Sequence, residues 1–162
     1  MGTLLVFIPM RLFTMIYVSC ASTKVTGHSL RDIADNSATR NSRIGVTGLL
    51  LYGSGNYFQI VEGGETAVKG LYRRIAQDSR HHNLRVLFES PISDRIFPQW
   101  QMGQLNLDEP GITPADYWTE LEQPASLNRL DQPSSRDRAI AWVREFIEHH
   151  SDSQKYPSLT GT

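Results

Sequence analysis

Cysteine is almost missing from these 162 residues. Cys20 is the single copy, so no intrachain disulfide and no cysteine-rich metal cage can form. It lies in the apolar run MIYVSCA, where a small buried hydrophobe is its ordinary role. Excess charge is missing too: 16 Lys and Arg stand against 17 Asp and Glu, which leaves no basic surplus for nucleic acid or an anionic membrane. LLVFIPM, residues 4–10, is far short of the ~20 apolar residues of a membrane span and is broken by Pro9. Phosphate-loop, GxGxxG and GxSxG patterns are absent. These absences imply a reducing, cytoplasmic setting, with no nucleic acid, no membrane and no familiar catalytic motif.

What is present alternates between strand and helix patterns. MIYVSCA (15–21) reads as a strand, and Met15 as the natural start or as the residue after a dispensable extension, 1–14. Ser29 with Asp32 signals a helix start. That helix carries Leu30, Ile33 and Ala34 on one face and ends at Asn41. RIGVTGLLLYG (43–53) and NYFQIVEG (56–63) are strands joined by the turn SGN, hence a hairpin. Residues 65–80 have helical periodicity through Val68, Leu71, Tyr72 and Ile75. LRVLFES (84–90) and WQMGQLNL (100–107) complete five strands.

The order β-α-β-β-α-β-β is α+β and ferredoxin-like: a five-stranded mixed sheet with two helices on one face. Residues 15–107 form this unit. Residues 108–150 read as a linker and C-terminal helices: a short one signalled by Thr113, Pro114 and Asp116, and an amphipathic one over 135–150. Its stripe is Ala139, Ile140, Val143, Phe146 and Ile147, with Trp142 off it, and docking on the open face of the sheet is expected. Residues 151–162 read as a disordered tail.

Gln59 is the anomaly. It sits between Phe58 and Ile60 in an apolar strand, and its carboxamide has donors and an acceptor to satisfy. Leaving such groups unpaired costs about 1–3 kcal/mol each. Tyr17 shares the sheet face that Gln59 occupies, Asn41 ends the first helix, and Arg74, Asp78 and His81 lie on or just after the second. Singly, each has an ordinary reading: a core tyrosine, a helix-end asparagine, an i,i+4 pair between Arg74 and Asp78. Together they surround a cleft between two helices, with Tyr17 and Gln59 as its floor. A flat heteroaromatic with amide-like edges and an anionic tail would suit it.

Five segments in order, namely Tyr17 in MIYVS, RNSRIGVTGLLLY, NYFQIVEG, YRRIAQDSRHHN and RIFPQWQM, resemble the BLUF family, blue-light sensors that use flavin. The resemblance implies non-covalent FAD, rather than FMN or riboflavin, and a sensor with no enzymatic activity of its own. It implies a photoactive trio of Tyr17, Gln59 and Asn41, with Tyr17 giving an electron and proton and Gln59 bridging Tyr17 to the flavin. It further implies ring or tail contacts from Ile33, Arg74, Ile75, Asp78 and His81, and a signal relay through Trp100 and Met102. Arg40 departs from members that carry a second Asn there. Output would go to an unidentified downstream protein or through a homo-oligomer. Two other readings of the same fold exist. An acylphosphatase-type enzyme needs an anion-cradling loop with an arginine after the first strand, and ASTKVTGH has none. A flavin-free interaction module would have no use for Tyr17, Gln59 and Asn41.

Overall fold

The computed structural model describes residues 10–99, 101–109 and 135–153. Eight elements follow in order: β1 (Leu12–Ala21), α1 (Gly27–Arg43), β2 (Thr47–Gly53), β3 (Asn56–Gly64), α2 (Glu65–Ala76), β4 (His81–Pro91), β5 (Gly103–Asn106) and α3 (Ser135–Ser153). The sheet runs β4-β1-β3-β2-β5, antiparallel except for the β2–β5 pair. This is the expected ferredoxin-like arrangement with one added strand. The hairpin between β2 and β3 turns on Ser54 and Gly55 alone. Both have positive φ, 49° and 79°, as the primed two-residue turn requires.

Alternation along the strands sorts side chains to two faces. On one, α1 and α2 cover Met15, Tyr17, Leu50, Tyr57 and Val61, with Leu30, Ala34 and Val68 pointing down from the helices. On the other, α3 lays Ala139, Val143, Phe146 and Ile147 on Ile16, Leu51, Phe58 and Ile60. Trp142, expected off the stripe, packs against this second cluster, whereas Ile140 is only partly covered. Gly48 allows β2 to lie against β3: a Cβ there would come within 2.0 Å of the Ile60 carbonyl oxygen.

Several boundaries differ from the sequence expectation. β1 starts at Leu12 rather than Met15, because Leu12, Phe13 and Thr14 already pair with Gly64, Gly63 and Glu62. The N-cap of α1 is Thr26, not Ser29. The Thr26 hydroxyl accepts from the Ser29 N–H, and the Ser29 hydroxyl from the Thr26 N–H. Asn41 does not end α1. The helix continues to Arg43, and Gly45, at φ 68°, takes the left-handed position. β2 therefore starts at Thr47 rather than at residue 43.

α2 stops at Ala76, not at residue 80, because the Asp78 carboxylate accepts from the Arg80 N–H and folds the chain into a turn. His81 consequently opens β4 opposite Ala21 instead of following a helix. β5 is shorter than expected, and Met102 lies just before it. α3 runs to Ser153, three residues into the expected tail. The helix start at Thr113, Pro114 and Asp116, the relay residue Trp100, and the rest of the extension and tail lie outside the described residues.

Candidate functional site

Tyr17, Gln59 and Leu50 stand side by side across β1, β3 and β2 on the face under α1 and α2. Tyr17 is 1% exposed, and its hydroxyl donates to Gln59 Oε1. The Tyr72 ring of α2 meets Tyr17 edge-on, centroids 5.2 Å apart and planes at 73°. Burial, and then the neighbouring Tyr72, raises the Tyr17 pKa far above that of an ordinary phenol. The hydroxyl therefore keeps its proton and remains a donor.

Above this pair a cleft of about 780 Å³, solvent at its opening included, separates the two helices. Gln59 and Leu50 form its floor. Ile33 and Asn41 reach it from α1, Leu71 and Ile75 from α2, and Met102 from the approach to β5. Arg40, Arg74, Asp78, Arg80 and His81 line it as well.

Two amides look into this cleft without partners. Asn41 is 1% exposed, and its Nδ2 has no hydrogen-bond partner among the described residues. The NH2 of Gln59 likewise makes no hydrogen bond to a described residue, since its Oε1 holds the only one. A buried donor left this way costs about 1–3 kcal/mol. The donor set fits a flat ligand that carries acceptors on its edge, with Ile33, Leu71 and Ile75 as apolar walls for its faces.

The charged side of the cleft differs from the sequence expectation. Asp78 pairs with Arg80, at 2.6 Å, and not with Arg74. The Arg80 guanidinium holds the Asp78 carboxyl well below the usual carboxylate range. Arg74 and Arg40 face the cleft with no ion pair to a described residue. His81 Nδ1 lies 3.0 Å from Ser19 Oγ, and its ring packs on Tyr57 at 4.7 Å. Burial lowers the His81 pKa, with Asp78 pulling it up and Arg80 pushing it down. The imidazole is therefore neutral at neutral pH and acts through hydrogen bonding and packing.

The structure brings Ile33, Asn41, Gln59, Arg74, Ile75, Asp78, His81 and Met102 to one cleft. Tyr17, expected in its floor with Gln59, is not a lining residue and meets the site through its bond to Gln59, Leu50 taking the floor position. Sequence reasoning missed Ser19 and Arg80 as their neighbours. Ser19 was within reach of the alternation rule, being two residues beyond Tyr17 on one strand. Arg80 was hidden by the assumption that α2 continues past residue 78.

A family model described as sensors of blue light using FAD (BLUF) matches residues 12–103. The photoactivated adenylate cyclase subunit alpha of Euglena gracilis is 33% identical over 96 residues, covering 58% of this chain and 9% of that protein. The chain thus spans under a tenth of this curated relative. The dark-state structure of BlrB, a BLUF protein, superposes with a TM-score of 0.62 at 25% identity, over 86% of this chain and 97% of that one. Klebsiella pneumoniae BlrP1, in a calcium and cy-diGMP complex, gives 0.70 at 26% identity, over 85% of this chain and 34% of that one.

Proposed function

The chain belongs to the BLUF family of blue-light flavin sensors, and from that premise we propose that it holds FAD non-covalently between α1 and α2 and switches a hydrogen-bond network through Tyr17 and Gln59. The carrying observation is the buried, unpartnered Nδ2 of Asn41 beside the Tyr17–Gln59 pair. A bound flavin supplies blue-light absorption and a ring edged with carbonyl and nitrogen acceptors. Asn41 would hold that edge by its NH2, and Ile33 and Ile75 would pack on the ring. Arg74 would meet the tail, with Asp78 and His81 beside it. Arg40 and Arg74, with no ion pair to a described residue, favour a flavin with an anionic tail over riboflavin, and FAD over FMN follows the family description.

Gln59 has distinct donor and acceptor ends. With Oε1 engaged by Tyr17, its NH2 is the end available to the cleft; inverting the amide presents the oxygen instead. Tyr17, proton-bearing and fully buried, is the partner that reads either end. In a low-dielectric site this exchange is energetically large compared with the same exchange in water. Met102 lines the same cleft and is adaptable, so it would pass the change toward β5, together with Trp100.

The sensing unit would comprise residues 12–107, carry no catalysis of its own, and signal through the C-terminal segment to an unidentified protein or a second copy in the cytoplasm. Among the described residues no helix is long and apolar enough to cross a membrane.

The visible spectrum of the purified protein tests this. A flavin spectrum that shifts reversibly to the red in blue light is expected, and a protein that stays colourless after FAD is added would overturn the reading. Gln59→Leu and Tyr17→Phe should keep the flavin and lose the shift. A normal reversible shift in Gln59→Leu would show the switch lies elsewhere.

A further inference from the structure

Three residues beyond Gln59, on the opposite face of β3, lies a second buried polar group. Glu62 is 0% exposed. Its carboxylate accepts from the Ile96 N–H, at 2.9 and 3.1 Å to its two oxygens, and from the Phe97 N–H at 3.0 Å. Ile96 and Phe97 belong to the loop between β4 and β5. The preceding residue, Arg95, donates to Thr47 Oγ1 at 2.8 Å, to the Glu62 carbonyl at 2.8 Å and to the Gly45 carbonyl. One carboxylate and one guanidinium thus fasten this loop to the start of β2 and the end of β3.

Each end of the loop reaches a different compartment. Downstream, Met102 enters the flavin cleft. At the fastened point, Ile96 and Phe97 are buried in the same cluster as Val143, Phe146 and Ile147 of α3. Arg136 of α3 is near enough to Glu62 to favour its ionised form, as Arg95 does. Like β2 and β3, the loop therefore has residues at the cleft and residues in the cluster under α3, and it is held to those strands by side-chain hydrogen bonds.

A second partner for the carboxylate stands ready. Thr14 of β1 is the direct cross-strand neighbour of Glu62, fully buried, and its Oγ1 has no hydrogen-bond partner among the described residues. A hydroxyl can donate where the loop N–H groups now do. Glu62 thus has two possible sets of donors, one on the loop and one on the sheet, which is the two-position element that signal transmission requires.

We propose that Glu62, with Arg95, is a positioning residue that couples Met102 in the cleft to α3 on the far face of the sheet. The inference rests on the photoreceptor reading above. Glu62→Gln preserves shape but removes the charge and, with the amide oxygen kept on the Ile96 and Phe97 N–H groups, sets an NH2 against the Ile96 N–H at the position of the other oxygen, so the fastening is weakened. The experiment is hydrogen exchange over α3, lit minus dark, with the flavin-bound protein and with Glu62→Gln.

In the unaltered protein, light is expected to change exchange in α3. In Glu62→Gln the red shift should keep its amplitude, while the α3 response falls at least about fivefold, the low end of measured site-to-site couplings. An undiminished α3 response, or none in the unaltered protein, would overturn the inference while the red shift leaves the photoreceptor reading intact. Absence of the red shift in the unaltered protein would instead sink that reading first. Arg95→Ala removes three hydrogen bonds from a half-buried site and one charge that favours the ionised carboxylate, while leaving the carboxylate's own hydrogen-bond partners in place. It carries the same expectation and replaces Glu62→Gln should that variant fail to fold.

Discussion

The two faces of one strand treat buried polarity in opposite ways. On the cleft face β3 presents Gln59, and next to it Asn41 keeps a donor with no described partner. On the far face β3 presents Glu62, whose oxygens take backbone N–H groups from Ile96 and Phe97, inside an apolar cluster closed by α3. A satisfied buried group holds the chain together, whereas an unsatisfied one calls for an explanation. Thr14, on the far face, also has a hydroxyl with no described partner, so it is the unpartnered Asn41 amide together with an open cleft beside it that locates the ligand.

The contrast is sharpest when the far face is damaged. Phe146→Ala removes a side chain stacked on Phe58 at 5.2 Å and is expected to cost about 3–5 kcal/mol of unfolding free energy, read from denaturant melts. It should leave the dark flavin spectrum of the surviving folded fraction unchanged. A flavin spectrum lost in step with stability would merge the two faces into one.

Asn41→Ala is the converse and smaller. Flavin affinity should fall about two- to thirteenfold, from the loss of one hydrogen bond worth roughly 0.5–1.5 kcal/mol. Apo-protein stability should stay within about 1 kcal/mol or rise, since the change deletes a group that had no partner and installs a better helix former. A titration and an apo melt decide it, and a large loss of apo stability would show that Asn41 is structural after all.

The smallest effect is on the pH dependence of stability. Burial lowers the His81 pKa, so between its folded value and 6.5 the unfolded chain binds more protons. Stability from this group is fully present above pH 6.5 and is lost as pH falls through the folded value. His150, buried against Phe146, shifts the same way. Burial raises the Glu62 pKa, against the pull of Phe97 and Ile96 N–H groups and of two arginines. Between 4.5 and its folded value the native state binds more protons, so that contribution is present below pH 4.5 and is lost as pH rises through the folded value. Melts across pH should show both slopes. His81→Asn should flatten part of the first and Glu62→Gln the second; a single slope unaffected by either would contradict the assignment.

Element order was legible because it rests on local periodicity; alternation set Tyr17 with Met15 on one face of β1 and Gln59 with Tyr57 and Val61 on one face of β3, and the Tyr17–Gln59 register makes the two faces the same. Boundaries decided by a single side chain were not legible. Asp78 chose Arg80 over Arg74, and that choice ended α2 and handed His81 to β4. Ser29 looked like a cap, yet it answers one that sits three residues earlier. Glu62 stands in the most informative segment of the chain, but its partners are 34 and 35 residues away, and no spacing rule reaches that far.

The seal that α3 places over Phe58 and Ile60 comes wholly from the polypeptide itself. Half of the interior is therefore finished before any pigment arrives. The expected order of assembly is chain first, chromophore second.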